Sequence, residues 1–320
     1  MSKKRFFVFL MLLGAFCICF LVLTFGILGQ DKPPEVFNIS VIVRGKNSES
    51  WDSIKQGCDQ AANDLNAELS FITLSEENSA SEQIHLIDRE IDGGADAIVL
   101  AAADSDDLAQ AVDQASLKIP VICIESPVNS KKVSTYISAD NYAMGVQLGK
   151  EIIESGNARK RLVVVESSWG CKNVQERMDG LISVLGSIGG NILHWQLPDD
   201  SEQASEMYLK KLAINEADVL VTLDVASLEL AAQAISSSKK SIGLFGIGST
   251  GKVASFIEQG VISATIVQND FAVGYLGVQT AVNAIGMRLV EPNYTVEHRL
   301  INRANMYDTE NQRLLFPFIR

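Results

Sequence analysis

The six residues Gly246-Ile247-Gly248-Ser249-Thr250-Gly251 fit the G-x-G-x-x-G spacing. In that spacing a tight strand-to-helix turn brings backbone amides close to a phosphate. The run follows an apolar stretch and precedes a helical pattern that begins at Lys252. Two features argue against a dinucleotide site. The turn stands late in the chain instead of in the first strand–helix unit, and the acid at a suitable offset, Asp270, follows a further strand instead of ending one. A nucleotide-dependent enzyme built on Gly246–Gly251 is the alternative reading, and a plain tight turn is the expectation. Histidine chemistry is poorly provided for. His85, His194 and His298 are well separated in sequence, so no catalytic residue, no metal centre and no cofactor is expected.

The residues left to do chemistry stand at the ends of apolar runs. Asn47, Ser48 and Trp51 follow the first run, then Asp104 and Ser105, Glu125 and Ser126, Ser167, Ser168 and Trp169, Asp224, and finally Ser249 and Thr250. This is a polar and aromatic set suited to holding a small molecule by hydrogen bonds and ring contacts. The runs themselves read as strands over Phe37–Arg44, Glu68–Leu74, Ala97–Ala102, Pro120–Glu125, Leu162–Glu166, Asn191–Gln196, Asp218–Leu223, Ser241–Ile247 and Ala264–Val267. Several are apolar throughout, the pattern of a parallel sheet covered on both faces. Helical periodicity fills the intervals: Trp51, Ile54, Cys58, Ala61 and Leu65 recur at spacings of three and four, as do Tyr275, Val278, Val282 and Ile285. Repeated βα units specify an α/β class with doubly wound sheets, whose ligands bind outside the carboxyl ends of the strands. The stretch Gly94–Leu100 is echoed by Glu216–Thr222. That echo and the length predict two similar lobes of five or six strands each.

The 320 residues include 27 basic and 39 acidic side chains, a net charge of −12, and three of the basic ones are Lys3, Lys4 and Arg5. An acidic body argues against nucleic acid as a partner. From Phe6 to Leu28 there is no charge for 23 residues, enough to cross a hydrocarbon core of about 30 Å as a helix. The reading is a basic cytoplasmic tip (1–5), a transmembrane anchor or uncleaved signal (6–28), a linker (29–36), and a folded part on the extracytoplasmic side, as the positive-inside rule requires. A cleaved signal and a lipoprotein signal are the competing readings, and neither finds a good cleavage pattern at Ile27-Leu28-Gly29 or before Cys17 and Cys19. Cys58, Cys123 and Cys171 are expected to be buried small hydrophobes.

The segments GKNSESWDSIKQGCDQAA, GGADAIVLAAADSDDLAQAV, IPVICIES, ISADNYAMG, NVQERMDG and SATIVQND, in that order from Phe37 to Ile285, resemble the type I periplasmic sugar-binding proteins. This group includes ribose- and galactose-binding members and the ligand core of lactose-repressor-like regulators. The resemblance implies two lobes joined by a three-strand hinge, 37–139 with 269–290 and 140–268 with 291–320, closing on a small sugar-like ligand. It implies Trp51 as a stacking platform, Glu125 as a hydroxyl acceptor, Arg177 as a charged donor fork, and Asp224 and Gln268 as further contacts. Ser48 joins them from its strand end, and Asp140 and Asn141 form a hinge-and-cap pair. Other roles stay open: Trp51 as a core residue, Glu125 and Asp224 as helix or turn caps, Arg177 as a solvated charge or an interlobe pair, and Gln268 as a hinge residue only. Where ribose-type members carry polar side chains this chain has Ala101, Leu223 and Gly248, and Ser126 stands where an arginine is expected. The implied partners are the permease of an ABC importer or a sensor histidine kinase, with the clamp a membrane-tethered monomer. The apolar end of the tail, Leu314-Leu315-Phe316-Pro317-Phe318, is expected to pack on the second lobe or to dock a partner.

Overall fold

A computed structural model describes residues 3–28, 36–168, 170–186, 192–198, 201–238 and 240–316. The chain forms two units, divided between Val36 and Phe37. The first contains one helix, α1 (Lys3–Leu28). Within it Lys4–Val22 has a mean hydropathy of 2.5, long and apolar enough to cross a membrane.

The second unit is built on two six-stranded sheets. The first holds β1 (Phe37–Ile42), β2 (Ala67–Ile72), β3 (Ala97–Leu100), β4 (Val121–Ile124) and β5 (Thr135–Ala139). The second holds β6 (Leu162–Glu166), β7 (Ile192–Gln196), β8 (Val219–Thr222), β9 (Gly243–Ile247) and β10 (Ala264–Gln268). The tail adds β11 (Asn293–Val296) to the first sheet and β12 (His298–Asn302) to the second. The sheet orders are β2-β1-β3-β4-β5-β11 and β7-β6-β8-β9-β10-β12. All pairings are parallel except β12 on β10. The echoed segments end in β3 and β8, which hold the same place in the two sheets. Both strands are wholly buried, as strands covered on two faces must be.

The covering helices are α2 (Asp52–Leu65), α3 (Ala80–Asp92) and α4 (Ala109–Ala115), then α5 (Asn141–Glu154), α6 (Lys172–Leu185), α7 (Ser201–Ala213), α8 (Val225–Ser238) and α9 (Gly251–Glu258). The last two are α10 (Asp270–Ile285) and α11 (Thr309–Leu315). Three strands escape the sequence reading: β5, β11 and β12. The chain passes between lobes at Asp140, Asn269 and Glu297, so β5 and the tail strands sit beside crossings, where short runs carry little periodicity.

One lobe boundary needs correction. Residues from 291 onward are expected in the second lobe, but β11 pairs with β5 in the first sheet before the tail crosses at Glu297. The edge of β5 would otherwise present a row of unpaired amides and carbonyls, and β11 covers it. Past the crossing, Met306, Leu314 and Leu315 are buried in the core of the second lobe. The apolar tail therefore packs on that lobe up to Phe316, and Pro317 and Phe318 lie outside the described residues. Cys58, Cys123 and Cys171 are all fully buried thiols.

The helices that follow the two long crossings pack in matching ways, α5 on α6 and α10 on α2. Glycine makes both contacts possible. A Cβ on Gly57 would fall on the Phe271 carbonyl oxygen and one on Gly274 on that of Ile54. In the other lobe Gly145 meets the carbonyl of Arg177 and Gly180 that of Tyr142 in the same way. This close seat fixes the amino end of α6, and with it Arg177, against the hinge.

Candidate functional site

The carboxyl ends of the two sheets face each other across a cleft lined by Arg44, Trp51, Glu125, Met144, Arg177, Asp224, Gly248, Ser249, Gln268 and Asp270. Its centre is Glu125. The residue closes β4 in a left-handed conformation, φ 59°, which a side-chain-bearing residue holds only when its surroundings over-determine it. Here they do. The Glu125 amide donates to the Ile137 carbonyl (2.9 Å), and its own carbonyl accepts from Tyr136 Oη (2.9 Å) and Ser138 Oγ (3.3 Å), all on β5. Its carboxylate accepts from Arg44 Nε (3.0 Å), Arg44 Nη2 (3.3 Å) and Asn173 Nδ2, and Arg177 Nη2 lies 3.7 Å away. Burial alone would raise the Glu125 pKa. The guanidinium groups of Arg44 and Arg177 outweigh that and hold it below the usual carboxylate range.

Arg177 comes from the second lobe, in the second turn of α6, and is almost wholly buried at 3% exposure. Its Nε donates to Asn141 Oδ1 (2.9 Å) and its Nη1 to the Leu223 carbonyl (3.0 Å). It is thus an interlobe pair and not a solvated helix charge. Leu223 replaces an expected polar side chain, and the position contributes its backbone oxygen instead. Asn141 donates in turn to Tyr136 Oη (3.2 Å) and Ser138 Oγ (3.1 Å). One short network therefore runs from the first crossing through Asn141 to Arg177, and through β5 to Glu125. Asp140 caps α5, accepting from the Ala143 amide at 2.9 Å. Gln268 ends β10 at the second crossing; its Nε2 donates to Asp270 Oδ1 (2.7 Å) and its Oε1 accepts from the Ala139 amide (3.5 Å). It joins two crossings and lines the cleft at the same time.

Trp51 sits at the end of a short 3-10 turn, Glu49–Trp51, with its ring in the cleft wall and 8% exposed. It belongs to the core and lines the cleft as well. Asp224 is likewise both cap and wall, accepting from the Ser227 amide (2.9 Å) at the start of α8 and from Ser167 Oγ. Ser48 is not brought into the inner cleft. It is exposed on the loop before the turn, shares a 2.7 Å hydrogen bond with Ser50 Oγ, and lines only the outer mouth. Trp169 lies outside the described residues. Ala101 is buried, its carbonyl taken by Gln83 Nε2. Gly248 lines the cleft at φ 118°, where a Cβ would collide with Val225.

Sequence reasoning missed Arg44, Asn173 and Asp270 as site residues. Arg44 had a signal: it is the one charge in the apolar first run, at its carboxyl end, and such a charge must be paired once the sheet is covered. Asp270 opens α10 and keeps partial exposure to the cleft. Desolvation pushes its carboxyl up to about 7, with the Glu125 charge adding to the rise and the Gln268 hydrogen bond and Arg177 opposing it. Nothing in the sequence places it near Glu125.

The lobes also touch directly. The Ser105 amide donates to the Gly170 carbonyl (2.9 Å), the Lys172 amide to Ser105 Oγ (3.2 Å), and Asn78 Nδ2 to Ser168 Oγ (3.0 Å). Cys171 Sγ rests 3.1 Å from the Ala103 carbonyl. The glycine turn has an occupant too, since the Gly251 amide at the start of α9 donates to Glu49 Oε1 from the first lobe (2.7 Å). Thr250 caps the same helix through the Val253 amide (3.1 Å). Two amides of this turn and helix start, those of Gly251 and Val253, are thus engaged by the protein's own carboxylate and hydroxyl.

Comparison with known proteins agrees with this fold. The profile of a family described as "periplasmic binding protein domain" matches residues 39–287. The chain is 24% identical over 268 residues to a ribose import binding protein of Haemophilus influenzae, covering 82% of this chain and 91% of the relative. Among solved structures it is similar to a carbohydrate transporter solute-binding protein of Agrobacterium radiobacter in complex with D-arabinose, with a TM-score of 0.83, 21% identity, and 88% and 99% of the two chains covered. A solute-binding protein of Agrobacterium vitis with bound D-fucose gives a TM-score of 0.81 at 22% identity, with 87% and 100% covered.

Proposed function

The chain belongs to the periplasmic binding protein domain family, and from that premise we propose that it is an extracytoplasmic, membrane-tethered binding protein whose lobes close on a sugar or sugar-like molecule. It is a binder and not an enzyme, as members of its family are, and at the glycine turn that suggested nucleotide chemistry the Gly251 amide is taken by Glu49 and the Val253 amide by Thr250. The observation that carries the ligand class is the cleft itself. An aromatic ring (Trp51), a carboxylate (Glu125) and a guanidinium (Arg177) converge from two lobes beside Asp224 and Gln268. A sugar packs its C–H face on a ring and exchanges charge-assisted hydrogen bonds with ionised groups in a closed cleft. The relatives named above bind ribose, arabinose and fucose, which supports the same class here.

Closure must be read by a second protein. The permease of an ABC importer is one reader, and the outer domain of a sensor histidine kinase is the other. Retention of α1 favours the sensor, because delivery to a permease does not require a tether of this kind. The test is a thermal-shift screen of the full-length protein in detergent against monosaccharides, polyols and nucleosides. A ligand at 100 times its dissociation constant adds about 2.7 kcal/mol of stability, so a clear rise in midpoint with one sugar is the expected outcome. No shift with any sugar in a folded sample overturns the reading. Mass analysis of the mature amino terminus tests the tether: loss of residues 1–28 would remove it.

A further inference from the structure

The end of the first sheet opposite the cleft, where its strands begin, has a charge pattern of its own. The neighbouring strands β4, β5 and β11 are entered from residues 116–120, 130–134 and 286–292. These strands are parallel, so the three loops stand side by side. The Ser134 amide donates to the Val121 carbonyl (2.9 Å), and the Tyr136 amide to the Pro292 carbonyl (3.0 Å). The loops hold Lys118, Lys131, Lys132 and Arg288 against one acid, Glu291, in a chain of net charge −12. All four basic side chains are exposed, and none is paired with a carboxylate among the described residues. The acids of this end, Glu68, Asp92 and Asp96, collect instead beside the starts of β2 and β3.

The same loops present apolar side chains to solvent. Leu289 and Met287, both almost wholly exposed, and Leu117, at 67%, are the three most exposed large apolar residues of the second unit among those described. Met287 also stands in a backbone position that suits glycine. It follows α10 in the left-handed region, φ 52°, with its amide on the Ala284 carbonyl (3.0 Å) and the next amide on that of Asn283 (2.9 Å). Glycine is the usual occupant of this turn, and at 95% exposure the methionine is not held there by packing. Cations set around exposed apolar tips match an anionic bilayer, whose phosphates take the charges while the tips reach the apolar layer beneath. They do not match a second copy, since a two-fold contact would press the same cations against each other. The chain's course agrees with lipid. Phe37 opens β1 at this end of the sheet, and the eight residues 29–36 that link it to α1 span at most about 28 Å when extended.

We propose that residues 116–120, 130–134 and 286–292 form a membrane-docking surface, on which the first lobe rests against anionic lipid with the cleft turned away from the bilayer. The inference rests on the tethered reading above and adds to it the face that meets lipid.

The test places the full-length protein in vesicles of phosphatidylcholine, alone or mixed equally with phosphatidylglycerol, each containing spin-labelled phosphatidylcholine that quenches tryptophan on contact. Leu289→Trp puts a reporter on the surface. Ile214→Trp, in the loop before β8 at the amino end of the second sheet, is its exposed control. Measured over the wild-type emission, Leu289→Trp should be quenched in the anionic vesicles, about twofold or more less in the neutral ones, and less again at raised salt. Lys118→Glu, Lys131→Glu and Lys132→Glu together should release it at low salt, while Ile214→Trp stays unquenched throughout. Circular dichroism confirms that each variant is folded. Equal quenching of the two reporters, or quenching of Leu289→Trp that ignores lipid charge and the three substitutions, would overturn the proposal. So would a Leu289→Trp emission that shifts to the blue with protein density but is never quenched, which puts a second copy on the surface. Flotation separates this proposal from the tether. A protein that does not float with the vesicles has no anchor, and both readings fall; one that floats with Leu289→Trp unquenched keeps its anchor and loses only the docking surface.

Discussion

Arg177, nominated from the sequence for ligand contact, is held in place as a structural residue. Truncating it leaves Asn141 Oδ1 and the Leu223 carbonyl unpaired in a buried setting, and each orphaned group costs about 1–3 kcal/mol. Arg177→Ala is therefore expected to lower stability as well as affinity, seen as an earlier denaturation midpoint of the unliganded protein at unchanged slope. An unaltered midpoint would contradict the buried network. Asp270 gives a second residue-scale prediction. Its carboxyl titrates near 7 in the folded state against about 3.9 in an unfolded chain. Between about pH 4 and pH 7 the folded protein holds a proton that the unfolded chain has released, so this group's contribution falls as pH rises through that window. Asp270→Asn should flatten the decline. His298, whose pKa burial lowers, contributes with the opposite sign, but it does so equally in both proteins, so the difference between their stability curves isolates Asp270. A difference that does not change across the window would refute the assignment.

Between elements, the control lies in helix contacts that only glycine permits. Gly57→Ala and Gly145→Ala each drive a methyl group into a backbone carbonyl of the facing helix, and neither carbonyl can move without its helix. Overpacking of this kind costs about 1–3 kcal/mol. Both variants should melt several degrees early by circular dichroism. Gly186→Ala, whose added carbon meets, among the described residues, only Ile182 at 3.6 Å, should melt close to wild type. Equal midpoints for all three would mean that the α2–α10 and α5–α6 seats are looser than they stand here. The start of α9 is a weaker contact of the same scale. A carboxylate at a helix amino end contributes about 0.3–1 kcal/mol, and Glu49 makes that contribution between lobes instead of within one helix.

At the scale of the whole molecule, closure places one thiol where a reagent can report it. Cys171 starts α6 in the second lobe and is covered by Ala103 of the first, whereas Cys58 and Cys123 are buried in cores of the first lobe. Peptide-mapped alkylation of the native protein should find Cys171 reacting only as the lobes part, more slowly with a bound sugar and faster in Glu49→Gln, while Cys58 and Cys123 stay protected throughout. Equal protection of all three thiols in every condition would mean that the lobes do not separate on this path.

Sequence alone determined the α/β class, nine of the twelve strands among the described residues, the two-lobed repeat and the long apolar amino-terminal helix, because each is written in local periodicity or in an unbroken apolar run. Periodicity reports burial of a face, and burial is what a doubly wound sheet demands of every strand. It also nominated Trp51, Glu125, Arg177, Asp224 and Gln268, which stand at strand ends or in segments of familiar order and come together in one cleft. Only the tertiary structure decided that Ser48 stays at the rim, that residues 293–296 join the first sheet, that the glycine turn receives Glu49, and that Arg44 and Asp270 enter the site. Each of these depends on which chain segment meets which across 81 residues in the case of Arg44 and Glu125, or 202 in the case of Glu49 and Gly251. A pairing at that range leaves no periodic trace, since it is set by the order of strands within a sheet or by contact between lobes, and not by the residues on either side.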